Sequence, residues 1–365
     1  ILLRLFDKHQ TLRLSASAVL GLDYIGALTA SLLVPILLVP YIGTIGASAL
    51  FGILNLGVAV VGLMTFPDVL GSAGARRTAI AALLVLMAPL AFGAARSDQL
   101  SRYLESNLYQ DPVVYAKNSV YQRIVLTRWR GDLRLFLNGS LQFASKDEYR
   151  YHEALVHPAM AAAPRRARIL VLGGGDGCAV REILRWPGVE SVDLVDLDAG
   201  VTDLAKSHPD LIRVNEGSFL DPRVTIHNTD ALRFLQDHPG PAWDVVLMDL
   251  PDPSNSSLSR LYARSTFRLV ARHLAPDGIL TSQATSPFFA PAAFWCIVDT
   301  INETPAGGPG GAPLTMYPYR VTVPSFGLWG YAMASARPID TASISIDVPT
   351  RHVTTTTLPT FFVFP

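Results

Sequence analysis

Arg168-Ile-Leu-Val-Leu-Gly-Gly-Gly-Asp-Gly-Cys178 opens the stretch that decides the fold, and Val192-Asp-Leu-Val-Asp-Leu-Asp198 closes it. A short apolar run, Ile169 to Leu172, enters a turn of glycines. Val180, Ile183, Leu184 and Trp186 then recur at helical spacing, and a second apolar run ends in Asp196 and Asp198. The pattern predicts strand, glycine turn, helix and strand, with an acid at the tip of the second strand. Glycines let the backbone pass close to a ligand, and a helix N-terminus is a partial positive pole. An acid roughly 20 residues beyond such a turn suits the two hydroxyls of a ribose. Cys178 stands where a dinucleotide motif carries its last glycine, and Asp176 would repel a pyrophosphate. Both favour a nucleoside without phosphates, with a cationic S-adenosyl compound the best fit. A plain α/β turn without ligand is the alternative reading.

The α/β alternation continues downstream. Val224-Thr-Ile226 predicts a strand leading to Asp230-Ala231 and a helix. Trp243 to Met248 predicts a strand that runs into Asp249-Leu-Pro-Asp252-Pro253. A helix over 262–274, a strand over 278–282, a helix over 291–303 and a closing hairpin over 321–335 follow. Repeated units of this kind predict a Rossmann-like, doubly wound parallel sheet with ligands beyond its C-terminal strand ends. Asp176, Asp196, Asp230 and Asp249 all fall there. Upstream, 113–145 alternates apolar and polar residues, with Arg130-Gly131-Asp132 and Asn138-Gly139 as hairpin turns. Asp147 to Glu153 opens a helix whose acids suit its dipole.

At 365 residues the chain has room for two or three domains. Its 30 basic and 30 acidic residues balance, which gives no footprint for nucleic acid. Cys178 and Cys296 are the only cysteines, with neither metal spacing nor a disulfide framework, so no metal is expected. The opening at Ile1 reads as a piece of a longer protein. Half of the residues are hydrophobic, concentrated towards the N-terminus, and 14–66 holds a single charge, Asp23. That run predicts membrane spans at 24–42 and 47–66 joined by a turn at 43–46. A third, at 78–95, contains Pro89. Asp23 reads as an interfacial residue or an intramembrane acid. Arg4, Lys8, Arg13, Arg76 and Arg77 argue for a cytoplasmic side opposite the C-terminal domain, whereas a domain using an adenosyl compound should face the cytoplasm. Upstream spans, or one run that does not cross, would resolve the conflict.

The expected layout is a transmembrane region over 1–95, a linker over 96–112, a small β-hairpin domain over 113–150, a Rossmann-like domain over 151–335 and a loosely ordered, irregular tail over 336–365. A Gly/Pro insertion at 307–313 reads as a mobile loop.

Tyr121-Gln122, Asp147 to Glu153, Gly173 to Gly177, Asp196, Asp230-Ala231, Asp249 to Pro253 and Pro324-Ser-Phe-Gly-Leu-Trp-Gly330 occur together and in this order. The combination resembles the spermidine synthase family of polyamine aminopropyltransferases, over about 109–335. With Asp23-Tyr-Ile-Gly-Ala-Leu28 it looks like the bacterial branch that carries an N-terminal multi-span membrane domain. The resemblance implies transfer of an aminopropyl group from decarboxylated S-adenosylmethionine, a co-substrate, to a diamine such as putrescine, with no prosthetic group. It further implies a small-molecule polyamine and an adenosyl donor as partners, a lipid bilayer around the spans, an inner-membrane location with the catalytic domain in the cytoplasm, and a homodimer through the hairpin region.

By similarity Asp249 is the general base. Asp252, Tyr151 and His152 surround the amines, and Asp176 binds the donor's aminopropyl nitrogen. Asp196 takes the ribose hydroxyls, Asp230 and Ala231 the adenine. Gly173 and Gly175 give the nucleoside room, and Gln122 and Gln142 line the same pocket. The bland reading of each acid is a helix cap or a solvated loop residue, and that of His152 is a packed core histidine. Tyr149 and Tyr151 alternate on the helix, so at most one faces the pocket.

One stretch departs from the family pattern. Thr322-Val323-Pro324-Ser325-Phe326 stands where the soluble enzymes carry Thr-Tyr-Pro-Ser-Gly, so a tyrosine hydroxyl near the diamine is missing. Leu250-Pro251 also replaces the small polar residues usual between the two acids. Two other classes remain in view: another S-adenosylmethionine-dependent transferase such as a methyltransferase, and a non-catalytic, membrane-attached polyamine or nucleoside sensor.

Overall fold

The computed structural model describes residues 12–66, 70–239, 243–307, 311 and 313–364. Arg4 and Lys8 of the orientation argument, and most of the insertion expected to be mobile, lie outside the described residues. The chain divides into two compact units, one up to Val120 and one from Tyr121.

The first unit is helical. Helix α1 (Leu12–Leu33) passes through a π-helical turn (Val34–Leu38) that contains Pro35, and continues as α2 (Val39–Thr65). A proline without an N–H disrupts the regular hydrogen-bond ladder, and a π turn is one way the helix absorbs it. Within 19–65 a helix of 47 residues is apolar enough to cross a membrane, as is α3 (Ala73–Ala95). At about 1.5 Å per residue the longer one would reach about 70 Å, over twice a hydrocarbon core of about 30 Å. Gly43, at φ 69° and ψ 172°, breaks it into two pieces of spanning length. The turn expected over 43–46 is therefore a kink at Gly43 between two helical pieces. Pro89 does not end α3. Helix α2 meets α3 through small residues: a Cβ on Gly52 would stand 2.9 Å from Leu90 Cδ1. Helix α4 (Ser97–Leu108), where the linker was expected, and strand β1 (Val113–Asn118) complete the unit.

The second unit opens with an antiparallel meander: β2 (Arg123–Trp129), β3 (Asp132–Leu137) and β4 (Ser140–Ala144). Trp129 pairs with Asp132 and Leu137 with Ser140, so both loops have two residues. Arg130-Gly131 and Asn138-Gly139 all take positive φ, the type I′ geometry that matches strand twist. Helix α5 (Glu148–Ala162) follows and is buried along most of its length.

The main sheet then builds from β5 (Arg168–Gly173), α6 (Cys178–Leu184), β6 (Ser191–Asp196), α7 (Ala199–Ser207), α8 (Pro209–Val214), β7 (Val224–Asn228), α9 (Ala231–Asp237), β8 (Trp243–Asp249), α10 (Ser256–Ser259), α11 (Arg264–His273), β9 (Leu274–Gln283), α12 (Pro291–Asn302), β10 (Thr315–Val323) and β11 (Gly327–Ser335). Its order is β10-β11-β9-β8-β5-β6-β7. The pairs β5/β6, β6/β7, β5/β8 and β8/β9 are parallel, and β10 and β11 close one side as an antiparallel hairpin. Strand order reverses about β5, and ligands of open α/β sheets sit at such a switch point. Along β5, Ile169 and Val171 pack into one core layer and Leu170 and Leu172 into the other.

The tail is irregular, as expected, but not loosely ordered. Ile344, Val348, Val353, Leu358 and Phe361 join the core layer that holds α5. Both carboxylate oxygens of Glu153 accept backbone N–H groups of the tail, from Arg351 at 2.7 Å, His352 at 2.7 Å and Val353 at 2.9 Å. Glu153 is thus a long-range anchor for the tail.

Candidate active site

The turn after β5 is tight for specific reasons. Gly173 and Gly174 have φ of 83° and 70°, and Gly174 N–H donates to the Asp249 carbonyl at 3.1 Å. A Cβ on Gly173 would lie 2.0 Å from that carbonyl oxygen; one on Gly175 would lie 2.6 Å from Asp196 Oδ2. Close approach to backbone requires glycine at 173, whereas at 175 a side chain would push against the Asp196 carboxylate.

Asp196, at the end of β6, accepts from Gly175 N–H at 3.1 Å through Oδ2 and from Asp198 N–H at 2.8 Å through Oδ1. Burial, against the pull of those two bonds, pushes its carboxyl up to about 6. Gln122 Nε2 donates to Asp198 Oδ2 at 2.9 Å, which brings the residue before β2 to the same strand end. Asp176 accepts from Cys178 N–H at 2.8 Å, and its backbone carbonyl accepts from Asn215 Nδ2 at 2.9 Å.

Asp249 ends β8. Tyr151 donates its hydroxyl to Asp249 Oδ1 at 2.7 Å. Burial and Asp176 push the Asp249 carboxyl up to about 6, while His152 and the Tyr151 bond oppose them. Burial and the facing Asp249 hold the Tyr151 phenol well above its ordinary range, so it stays a donor. Tyr149 instead lies under the Arg351 guanidinium, 3.7 Å from its ring centroid. Phe326 and Trp329, at the β10–β11 end, pack against the Tyr151 ring with centroids 6.1 and 6.4 Å away.

His152 is buried with its Nδ1 at 2.8 Å from Glu148 Oε2, and its Nε2 lies 3.9 Å from Asp176 Oδ1. Burial works against its charge, but the Glu148 bond with the nearby Asp176 and Asp249 outweighs it and holds the imidazole up to about 9. Arg181, inside α6, binds both Glu148 oxygens at 2.9 and 3.0 Å. Glu148, His152 and Cys178 place three metal-ligating atoms within 4.8 Å. Both Glu148 oxygens are already engaged by cations, so the trio behaves as an ion network and not as a metal centre.

Asp252 carries a bond from Gln283 Nε2 at 3.3 Å, and burial raises its carboxyl. Gln283 also donates to the Leu250 carbonyl at 2.7 Å and meets the Tyr262 hydroxyl. Asp230 is engaged elsewhere: Oδ1 caps α9 through Leu232 and Arg233 N–H, and Oδ2 accepts from Arg260 at 2.7 Å. Ala231 is the first residue of that helix. Gln142 bonds the Ser140 carbonyl at 3.1 Å on its own strand. Val323 is buried in the core, and Tyr319 sends its hydroxyl to the Ala154 carbonyl at 2.7 Å, so neither replaces the missing tyrosine hydroxyl. A cavity of ≈ 470 Å³ opens elsewhere on this unit and one of ≈ 400 Å³ is lined by Glu148 and Arg181; Asp249 lines neither.

Asp176, Asp196, Asp249 and Asp252 thus gather at the C-terminal strand ends with Tyr151, His152 and Gln122. Glu148, Arg181 and Gln283 were not foreseen as site residues. The one available signal was the i, i+4 spacing of Glu148 and His152, together with a charged pair, Arg181-Glu182, on an otherwise apolar short helix.

The family model for the spermine/spermidine synthase domain matches residues 148–343. A polyamine aminopropyltransferase of Leptospira interrogans is 45% identical over 93% of this chain and 66% of its own length. Polyamine aminopropyltransferase 2 of Ralstonia nicotianae is 44% identical over 95% of this chain and 67% of its own length. The chain thus spans about two thirds of the length of these relatives. Among solved structures, a spermidine synthase in complex with the transition state analogue AdoDATO superposes with TM-score 0.62 at 24% identity, over 69% of this chain and 85% of that one. The Thermotoga maritima spermidine synthase gives TM-score 0.60 at 25% identity, over 69% and 84%.

Proposed function

This chain belongs to the spermine/spermidine synthase family, and we propose that it moves an aminopropyl group from decarboxylated S-adenosylmethionine to a diamine such as putrescine, giving spermidine and methylthioadenosine. The observation that carries this reading is the Tyr151–Asp249 bond of 2.7 Å at the switch point, within reach of Asp176 and His152. The donor's sulfonium leaves as a neutral thioether, so no leaving anion needs stabilising. The acceptor must instead attack as a free amine, and an amine with a pKa near 10 is mostly protonated at neutral pH.

Asp249 takes the proton as the nitrogen lone pair attacks the carbon next to sulfur. The new C–N bond forms, the C–S bond breaks, and its electron pair stays on sulfur. Asp252 and Tyr151 hold the acceptor, Asp176 the donor's terminal ammonium, and Asp196 the ribose. Gly173 and Gly175 give the nucleoside room, with Gln122 beside it. Asp230 and Ala231 border the adenine if Arg260 yields, and Gln142 lines the nucleoside pocket if it leaves the Ser140 carbonyl. The membrane-length helices support a multi-pass anchor in the cell membrane with the second unit in the cytoplasm, where its nucleoside donor is found. The β2–β4 sheet is the proposed dimer surface, and 113–150 and 151–335 the proposed small and catalytic domains.

The test is methylthioadenosine release from decarboxylated S-adenosylmethionine with a panel of diamines and polyamines, for wild type and Asp249→Asn. Amine-dependent release lost in the variant supports the transferase and names the acceptor. Nucleoside binding without release under any amine overturns it in favour of a sensor, and methylation of an acceptor by S-adenosylmethionine would make it a methyltransferase.

A further inference from the structure

His152 presents a problem for that chemistry. The donor brings a sulfonium and an ammonium, and the acceptor brings at least one more ammonium. Yet the substrate-free site already holds a buried imidazole in contact with carboxylates. Its Nδ1 is fixed by Glu148 Oε2 at 2.8 Å, and its Nε2 points at Asp176 Oδ1, 3.9 Å away. Every group that faces the ring favours the proton. Glu148 faces it from α5, Asp176 from the glycine turn and Asp249 from β8. Cys178 of α6 is a neutral thiol, since burial pushes it well above its ordinary value. The Tyr151 ring meets the imidazole edge-on, with centroids 5.0 Å apart. Arg181, the guanidinium of this network, is held by both Glu148 oxygens, by Glu182 and by the Val214 carbonyl.

We propose that His152 is an exchangeable counter-ion: charged in the empty site, it neutralises Asp176 and gives up its proton to solvent when the donor's ammonium takes that carboxylate. The proposal rests on the aminopropyl-transfer reading and adds a positioning role that the reaction itself does not require. A cation already sitting beside the acids favours the ionised form of Asp249 without substrate. Removing it on donor binding avoids stacking like charges in a desolvated pocket. The neutral ring that results still holds Glu148 through one N–H and leaves Nε2 as an acceptor facing the donor's ammonium.

Calorimetric titration of the full chain in buffers of different ionisation heat, at about pH 7.5, counts the protons exchanged. Decarboxylated S-adenosylmethionine should release about one proton per molecule bound. Methylthioadenosine, which lacks the ammonium, should bind with release near zero, and His152→Gln should bind the donor without release. Because that variant alters a buried network, the second readout uses wild type alone. In a ¹⁵N-histidine spectrum His152 should be imidazolium when free and neutral with donor bound. Donor binding without proton release, or an imidazolium that persists in the complex, overturns the counter-ion role and leaves the transferase intact. Failure to bind either nucleoside overturns the transferase reading and this proposal together.

Discussion

Asp249 has conflicting demands on it, and they can be measured separately. Its carboxyl is raised from 3.8 to about 6 by burial, so folding favours its protonated form more than the unfolded chain does. An acid raised on folding destabilises the fold as pH climbs past its unfolded value and through its folded one. Asp249→Asn is therefore expected to lower turnover by about 10²–10⁴-fold and to stabilise the protein above about pH 6 by about 1–3 kcal/mol. Denaturant unfolding at about pH 3 and about pH 8 checks this, since the gain builds between 3.8 and about 6 and should be nearly absent at the lower pH. His152 gives the opposite sign. Its folded value of about 9 exceeds 6.5, so its contribution is full below pH 6.5 and lost as pH rises through about 9. The two turn glycines separate as well. Gly173→Ala combines a positive φ with a Cβ 2.0 Å from a carbonyl oxygen, and should cost about 3 kcal/mol or more of stability. Gly175→Ala, whose φ is ordinary, meets the Asp196 carboxylate and Val201 Cγ1, side-chain atoms that can shift, and should fold, binding methylthioadenosine weakly or not at all. A Gly175→Ala protein that binds the nucleoside normally would remove that turn from the site.

Helix α5 joins several parts of the second unit. It carries Asp147 at its start, which accepts from Ser325 N–H and from Ser325 Oγ at 3.0 Å. Its first turn offers Glu148 to Arg181, its second Tyr151 and His152 to the acids, and Glu153 anchors the tail. Glu148→Ala would leave Arg181 with Glu182 and the Val214 carbonyl but remove its two-pronged partner, and is expected to cost about 3 kcal/mol. Glu153→Ala would release three tail N–H groups, and limited proteolysis should then cut within 336–353 while wild type resists. How far these elements were legible depended on whether their forces were local. The hairpins could be read because Arg130-Gly131 and Asn138-Gly139 state their own turn chemistry, and the strand tips because apolar runs end abruptly in Asp196 and Asp249. Asp176 and Asp249 could be read as strand-end acids, but the meeting of Tyr151 with Asp249 came only through the resemblance, since no spacing brings residues 98 positions apart into contact. The tail was misread for a physical reason. Ile344, Val348, Val353, Leu358 and Phe361 follow no helical or strand period among threonines and prolines, so burial leaves no pattern to find. Asp230 reads equally well as cap or ligand, and the cap is what its oxygens hold.

At the scale of the whole molecule the two units obey different solvents. The first exposes Leu20, Ile25, Leu28, Ile36, Val58 and Val61 along helices that water would not tolerate in bulk, while the second buries its apolar residues in two layers about one sheet. The full chain is therefore expected to require detergent or lipid for extraction. A protein beginning at residue 113 should stay in solution without either and still bind methylthioadenosine. Sedimentation and nucleoside titration of the two would test this, and a soluble full chain would remove the bilayer from the picture. The Glu153 anchor also has a consequence in time. Its carboxylate meets Val353 across 200 residues of sequence. At a translation rate of about 5–20 residues per second, the ribosome delivers that partner on the order of 10–40 seconds after Glu153 itself emerges. During that interval the nascent chain holds a charged helix against an unfinished core, so chaperone dependence should be greatest before the last segment clears the exit tunnel.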